Sequence, residues 1–285
     1  MSHDAILSLS CADRPGIVAA VSARLFEAGC NITEAHQYND PDTALFFMRV
    51  RFAMPADGTT EAFATSFTET AGRFGIEFTV RSTKRRQRVV LLASKLDHCL
   101  SDILYRWRSG EFMMDVVGII SNHPRETYAH LDFAGVPFHY LPVTKTTKME
   151  QEAQIWELIS TLQADLVVLA RYMQILSDGL AAKLSGKCIN IHHSFLPGFK
   201  GAKPYHQAHA RGVKLIGATA HYVTADLDEG PIIEQDVERV SHQDSPENLT
   251  RKGKDIEQRV LARAISWHLD GRIIVNGHKT VVFRD

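Results

Sequence analysis

Apolar and polar residues follow two different patterns along the chain. In the first eighty residues, Ala5–Cys11 alternates with a period of two, which predicts a β-strand, and Ile17–Ala28 repeats at helical spacing before Gly29. Similar patterns predict strands over 31–39 and 44–52, a helix over 60–74 and a strand over 76–81. This order of elements is typical of a ferredoxin-like βαββαβ domain, which we place at residues 1–83.

A second pattern, of continuous apolar strands separated by helical repeats, begins at Val89. Strands are predicted over 89–93, 112–121, 138–141, 166–170, 189–191 and 216–223, and helices over 96–108, 124–134, 148–163 and 176–184. Strands that are apolar on both faces and joined by helices indicate a doubly wound, mostly parallel sheet. Asn276-Gly277 favours a type I′ turn and predicts a hairpin over 272–283. The fold class is therefore α/β, with a linker at 84–88 and a second domain over 89–285.

Composition narrows the class of protein. The 285 residues include 32 basic and 33 acidic side chains, a balance that gives no reason to expect nucleic acid or an anionic membrane as a partner. The basic run at 83–88 has no interleaved aromatic residues and suits a solvated linker. No signal peptide and no apolar span of bilayer length is visible, so we expect a cytoplasmic protein. The four cysteines lack Cys-x-x-Cys spacing, which predicts free thiols.

Polar side chains of complementary chemistry lie at the predicted strands 189–191 and 216–223 and in the loop that follows the second of them. Residues two apart on a strand share a face, so Asn190 and His192 are expected to point together and His193 elsewhere. An amide, an imidazole and the Asp228 carboxylate suit attack on a carbonyl, since they supply donors for an oxyanion and a group that handles protons. That chemistry requires no metal and no organic cofactor.

Each of these features also has a purely structural interpretation. Asn190 and His192 could be a hydrogen-bonded core pair, and Asp228 a solvated turn residue before Gly230-Pro231. His221 could orient the Asp228 carboxylate or be a core histidine. The combined spacing of the three segments favours the catalytic interpretation.

The first domain resembles the ACT domain, a small regulatory module, through Asp13-Arg14-Pro15-Gly16-Ile17-Val18 and the stretch 25–32. The resemblance implies pairing of subunits into a homodimer or homotetramer, and a possible amino-acid effector. The residues it places at an effector site or interface are Asp13, Arg14, Pro15, Gly16 and Asn31. The alternative is that this turn only connects a strand to a helix.

Residues 88–285 resemble the formyltransferase-type domains that handle 10-formyltetrahydrofolate. The matching motifs are Asn190-Ile-His192-His-Ser194-Phe-Leu-Pro, Gly217-Ala-Thr219-Ala-His221 and Asp228-Glu-Gly230. The resemblance implies that Asn190 and His192 stabilise the oxyanion, that Asp228 transfers protons, and that His221, Ser194 and Thr219 support them. The residues it assigns to substrate binding are Arg171, Tyr172, Met173, Gln174, Ile175 and Leu176, with Lys203 and Tyr205 as further candidates.

The acceptor of the formyl group is indicated by features outside these motifs. Glycinamide ribonucleotide formyltransferases carry a Gly-rich turn that holds a phosphate, whereas residues 93–102 contain no glycine. This stretch, the ACT-like domain and residues 199–208 resemble the formyltetrahydrofolate deformylases, which implies a small-molecule folate substrate and water as acceptor. It also implies a role in supplying formate for purine synthesis and balancing the one-carbon pool. The alternatives are a formyltransferase with an amine acceptor and an amino-acid-gated folate sensor.

Overall fold

The computed structural model describes residues 3–196 and 204–284, which form two compact units. The first comprises the residues up to Arg86 together with Asp270–Asn276 and the segment that begins at Thr280. The second comprises Gln87–Leu269 with the short turn Gly277–Lys279. Within the described ranges, none of the helices is both long and apolar enough to span a bilayer. All four cysteines are free thiols.

The first unit is a four-stranded antiparallel sheet with two helices, as the sequence predicts. Its elements are β1 (His3–Ala12), α1 (Ile17–Glu27), β2 (Asn31–Asp40), β3 (Leu45–Met54), α2 (Thr60–Phe74) and β4 (Glu77–Ser82). The strand order is β2-β3-β1-β4. Alternate residues of β1 and β3 form an apolar core with α1 and α2. Helix α2 begins where the Thr59 hydroxyl accepts a hydrogen bond from the backbone of Ala62, and it ends at Gly75, whose φ is 65°.

The C-terminal hairpin, β12 (Ile273–Asn276) and β13 (Lys279–Val282), belongs largely to this first unit. Arg49 of β3 is fully buried and donates to the Asp270 carbonyl and to Glu34 Oε1, at 3.0 and 2.7 Å. Arg272 also donates to Glu34, at 3.2 Å. These bonds explain why the hairpin groups with the first unit, whereas the sequence analysis assigned it to the domain over 89–285.

The second unit contains a seven-stranded sheet in the order β11-β10-β9-β8-β5-β6-β7. Its strands are β5 (Gln87–Ala93), β6 (Met114–Ser121), β7 (Phe138–Tyr140), β8 (Leu166–Leu169), β9 (Cys188–His192), β10 (Leu215–Tyr222) and β11 (Ile232–Arg239). Its helices are α3 (His98–Arg108), α4 (Lys148–Thr161), α5 (Asp178–Lys183), α6 (Pro204–Arg211) and α7 (Pro246–Leu269). Five neighbouring strands pair in parallel, and β10 pairs antiparallel with both β9 and β11, which confirms the mostly parallel sheet.

The helix predicted over 124–134 is wrong. Only Arg125–Tyr128 is helical, and it is a short 3₁₀ turn. The Arg125 guanidinium donates to the carbonyls of Tyr128 and Leu131, at 2.6 and 2.9 Å, so these carbonyls are not used in an α-helical ladder. Farther on, the Asp132 carboxylate accepts from the backbone of Ala134, whose φ is 51°.

Three elements of the second unit, β11, α6 and α7, are absent from the sequence prediction. Among the described residues, α7 is the longest helix, with 24 residues. Its apolar repeat has the correct period, but the charged Glu257 and the helix-weakening Gly253 both fall on the buried face. Because these two residues interrupt the apolar face, the apolar repeat alone does not predict the helix.

Candidate active site

The predicted catalytic residues Asn190 and His192 lie on β9, and the predicted supporting residue His221 lies on the adjacent antiparallel strand β10. In the pairing of β9 with β10, Asn190 is opposite His221, and His192 is opposite Thr219. Because side chains of directly paired residues share a face, the amide and both imidazoles project to the same side of the sheet. The loop after β10 then brings Asp228 back to these side chains.

Short contacts join these four groups. Asp228 lies 3.3 Å from His192, between Oδ2 and Nδ1, and 3.7 Å from His221, between Oδ1 and Nε2. His221 Nδ1 donates to the Tyr222 carbonyl at 2.9 Å, because a carbonyl can only accept. The Nε2 atom of a neutral His221 is therefore an acceptor, and Asn190 Nδ2 donates to it at 3.2 Å. His221 thus orients the Asn190 amide as well as facing the carboxylate.

The Asp228 carboxylate is held in its ionised form. Burial alone would raise its pKa, but the hydrogen bond with His192 and the proximity of His221 together hold the pKa of Asp228 well below the usual range of an aspartate. Its backbone has a φ of 58°, in the left-handed region that residues with a side chain rarely occupy. Such strain is often retained at sites where function depends on the position of a side chain.

Gly230 allows the Asp228 loop to approach β10. A Cβ at this position would lie 1.8 Å from the Tyr222 carbonyl oxygen, which is also the acceptor for His221 Nδ1. We expect Gly230→Ala to displace the loop, to destabilise the fold by about 1–3 kcal/mol, and to lower turnover by about 10²-fold, as a misplacement of ~1 Å can do.

Thermal melts and turnover of Gly230→Ala test this expectation. Gly179→Ala is the matched control, because a Cβ at Gly179 would meet only Ser177 Oγ, at an ordinary contact distance of 3.9 Å. Wild-type turnover in Gly230→Ala would show that the close approach of the loop has no functional role.

A cavity of about 390 Å³ opens beside these residues. It is lined by Leu169, Arg171, Tyr172, Met173, Gln174, Ile175, Leu176, Asn190, Ile191, His192, His193, His221, Val223, Thr224, Ala225, Asp226, Leu227 and Asp228. The whole predicted substrate segment 171–176 thus faces the same cavity as the predicted catalytic residues. Ile175 and Leu227 are 59% and 52% exposed, so they offer apolar surface to a ligand.

Thr219 and Ser194 hold the chain that leaves β9. The Thr219 hydroxyl donates to the Ser194 carbonyl at 2.9 Å and accepts from the backbone of Leu196 at 3.1 Å. Gln235 of β11 donates to the same hydroxyl at 2.9 Å. Thr219 is fully buried, so its role is to hold the loop after β9 in place.

Comparison with known proteins identifies the family. A formyl transferase model matches residues 87–265, and an ACT domain model matches residues 5–66. Formyltetrahydrofolate deformylase of Corynebacterium sp. strain P-1 is 47% identical over 280 residues, 98% of each chain. The chain belongs to the formyltetrahydrofolate deformylase family. A crystal structure of a formyltetrahydrofolate deformylase from Burkholderia mallei, at 50% identity, has a TM-score of 0.93 and covers 99% of this chain and 100% of its own.

The likeness to transferases is more limited than the likeness to deformylases. The crystal structure of glycinamide ribonucleotide transformylase 1 from Symbiobacterium toebii is 30% identical, has a TM-score of 0.63 and covers 70% of this chain and 95% of its own. In this deformylase-family chain, side chains fill the turn after β5. Ser94 Oγ donates to Asn122 at 2.6 Å and accepts from the backbone of Met173 at 3.0 Å, and Tyr128 donates to the Ser94 carbonyl at 2.7 Å.

The predicted substrate residue Tyr205 lies away from the cavity. It is buried, and its hydroxyl donates to Glu257 Oε1 at 2.7 Å. Burial and the neighbouring Glu257 raise the pKa of Tyr205 far above its usual value, so it acts as a donor. Lys203 lies outside the described residues.

His193 and Glu257 are site residues that the sequence analysis missed. His193 was expected to point away from His192, but β9 ends at His192, so strand alternation no longer applies, and the two rings stack with centroids 4.8 Å apart. Glu257 is a charged residue on the apolar face of a helical repeat, and this pattern was the signal that could have identified it.

The residues predicted for an effector site lie in the first unit, and all are exposed. Residues 13–16 form the turn between β1 and α1, where Gly16 has a φ of 95° and precedes the helix. The Arg14 guanidinium lies 4.5 Å from the centre of the Phe74 ring. Asn31 begins β2.

Proposed function

We propose that the protein hydrolyses 10-formyltetrahydrofolate to formate and tetrahydrofolate, with water as the acceptor. The observation that carries the proposal is the convergence of Asn190, His192 and Asp228 at one end of the cavity. The family supports the same reaction, because its members are named for it.

The substrate is bound with its formyl carbonyl against Asn190 and His192. The apolar rim of the cavity contacts the flat ring system, and the segment 171–176 surrounds it. His192 Nδ1 faces Asp228, so Nε2 is the atom available to the substrate. This atom is buried and has no hydrogen-bond partner among residues 3–196 and 204–284.

Water then attacks the formyl carbon, and one C–O bond forms as the carbonyl oxygen becomes an oxyanion. The Asn190 amide and Nε2–H of protonated His192 donate to that oxyanion, and the Asp228 carboxylate stabilises the imidazolium. Asp228 accepts the proton that the water loses. His192 donates its Nε2 proton to N10 as the C–N bond breaks and regains a proton from solvent, to which Asp228 releases the one it accepted. Tetrahydrofolate and formic acid leave the site, and the formic acid loses its remaining proton to solvent to become formate.

We propose that no metal or organic cofactor takes part, because these three groups supply both oxyanion donors and proton transfer. Water is favoured over a phosphorylated amine by the turn after β5. Ser94 bonds both Asn122 and Tyr128 there, where a glycine-rich turn would expose backbone N–H groups to a phosphate.

Purified protein incubated with 10-formyltetrahydrofolate and no amine tests the reaction. We expect formate and tetrahydrofolate to appear in equal amounts, and added amines to leave the rate unchanged. Strict dependence on an added amine would favour a transferase. Binding of the folate without turnover would favour a sensor.

The first unit supports a second, independent proposal. We propose that residues 13–16 with Asn31 bind an amino-acid effector or join subunits of a homodimer or homotetramer in the cytoplasm. Calorimetry with a panel of amino acids tests binding, and light scattering of the eluting protein tests assembly. Absence of heat with every amino acid would leave these residues a role in assembly alone.

A further inference from the structure

A buried ion pair lies behind the catalytic histidine. Glu257 of α7 is 1% exposed, and its Oε2 lies 3.2 Å from Nε of Arg171 and 2.7 Å from Nε2 of His98. Its other oxygen accepts from the Tyr205 hydroxyl. Tyr205 reaches this carboxylate because it packs against Gly253, where a Cβ would lie 2.0 Å from the ring.

The carboxylate of Glu257 is ionised. Burial would raise its pKa, but the hydrogen bond with His98 and the charge of Arg171 hold the pKa of Glu257 below the usual value of a glutamate. His98, Cys99 and Glu257 have the donor types of a metal site. The Arg171 guanidinium already compensates the carboxylate, so a cation would have to displace it.

The same guanidinium reaches the active site through His193. Arg171 Nη1 lies 2.8 Å from His193 Nδ1, and a guanidinium can only donate, so Nδ1 accepts. His193 is therefore neutral. Its ring lies nearly parallel to the His192 ring, at an interplanar angle of 20°.

His192 is thus restrained from two directions. Asp228 bonds its edge through Nδ1, and His193 covers its face. Arg171 has a φ of 64° and begins the segment that lines the cavity. The strain at Arg171 is retained because its guanidinium is held between the ion pair with buried Glu257 and the hydrogen bond to half-buried His193.

We propose that Glu257 is a positioning residue for the hydrolysis: through Arg171 and His193, it holds the His192 imidazole in the orientation that donates to the formyl oxygen. The expected effect of Glu257 on turnover rests on the proposed function. The restraint of His192 can be measured separately.

Replacing Glu257 by glutamine tests the proposal, because the side chain keeps its size and loses its charge. We expect kcat to fall about 10–100-fold, as for loss of a partner that orients a functional histidine, while KM changes less than about threefold. Arg171 is then an uncompensated cation beside the histidine pair. Since a nearby like charge disfavours protonation, the alkaline limb of the kcat profile should move to lower pH.

Among the described residues, the charged and titratable groups that face His192 are Asp228, His221 and His193, with Arg171 behind His193. None of these four is altered in Glu257→Gln, so a shift of the pH profile reports the lost charge. NMR titration of the His192 ring nitrogens gives the same information without turnover. We expect His192 to titrate at lower pH in the variant than in the wild type.

Two variants complete the design. Asp236→Asn is the control, since Asp236 of β11 also holds α7, through Arg259 at 2.7 Å, but lies outside the network. It should leave kcat and the titration of His192 unchanged even if the melting temperature falls. Arg171→Lys keeps the charge but cannot bond both Glu257 and His193, so it should lower kcat as Glu257→Gln does. If Glu257→Gln fails to fold, Arg171→Lys tests the proposal in its place.

Unchanged kcat and unchanged His192 titration in both Glu257→Gln and Arg171→Lys would overturn the proposal. So would equal losses of kcat in Glu257→Gln and Asp236→Asn, because general loosening of α7 would explain them. If the wild type hydrolyses nothing but the His192 titration shifts as expected, the proposed function fails and the positioning of His192 stands.

Discussion

Replacing Asp228 by asparagine is expected to lower kcat for hydrolysis by about 10²–10⁴, the range for loss of a group that transfers protons. The amide fills the same space in the loop between β10 and β11. It cannot accept the proton of the attacking water as a carboxylate does, and it carries no charge to stabilise protonated His192, which lies 3.3 Å away. Oxyanion donation and proton transfer therefore weaken together.

Single-turnover rates and folate affinity, measured on the same preparations, separate this effect from substrate binding. We expect the dissociation constant for the folate to change little, since Asp228 acts on the reacting atoms. Glu229→Gln is the matched control, because Glu229 is the next residue, carries the same charge and is exposed. A kcat within threefold of wild type in Asp228→Asn would assign proton transfer to another group.

The pH dependence of stability gives an independent check on Asp228. Because its pKa is lower in the folded protein than in the unfolded chain, ionisation stabilises the fold above the unfolded value of roughly 4. That contribution is lost as the pH falls through the depressed pKa. We expect Asp228→Asn to be less stable than wild type at neutral pH and the difference to shrink below pH ~4, as measured by thermal melts.

Replacing Asn190 by alanine is expected to lower kcat by about 10²–10³, which is the usual cost of losing one oxyanion donor. The Asn190 amide lies on β9 with its orientation set by His221, so it needs no reorganisation when charge develops on the formyl oxygen. Asn190→Asp, which has the same shape and no donor, should lose as much. Recovery of activity in Asn190→Asp would mean that the side chain acts through its shape.

A double-mutant cycle places Asn190 and Asp228 in one step of the reaction. If both act on the same tetrahedral species, the loss in Asn190→Ala with Asp228→Asn should be far smaller than the product of the single losses. Fully multiplicative losses would indicate that the two residues serve separate steps.

The elements that the sequence predicts correctly are those with a local cause. Helix α2 has a capping Thr59 and a terminal Gly75, and the predicted and observed bounds agree at 60–74. The wrong helix over 124–134 fails because side chains of Arg125 and Asp132 bond backbone groups that a helix would use, and propensity does not report such bonds.

The residues of the candidate site likewise separate into those that local sequence predicts and those that depend on tertiary packing. Motif spacing predicted Asn190, His192 and Asp228 as the catalytic residues, because strand alternation and turn residues are local properties. It did not identify His193 or Glu257, because the stacking of His193 depends on where β9 ends, and the role of Glu257 depends on a partner 86 positions away, at Arg171.

By itself, the sequence determined the two kinds of domain, the family and the chemistry of the three groups that we propose as catalytic. Those properties follow from residue type and short-range period. The tertiary structure decided that β10 lies antiparallel beside β9, so that His221 orients Asn190, and that the C-terminal hairpin belongs largely to the first unit. It also decided the ion pair behind His192, because packing brings Arg171 and Glu257 together from distant segments.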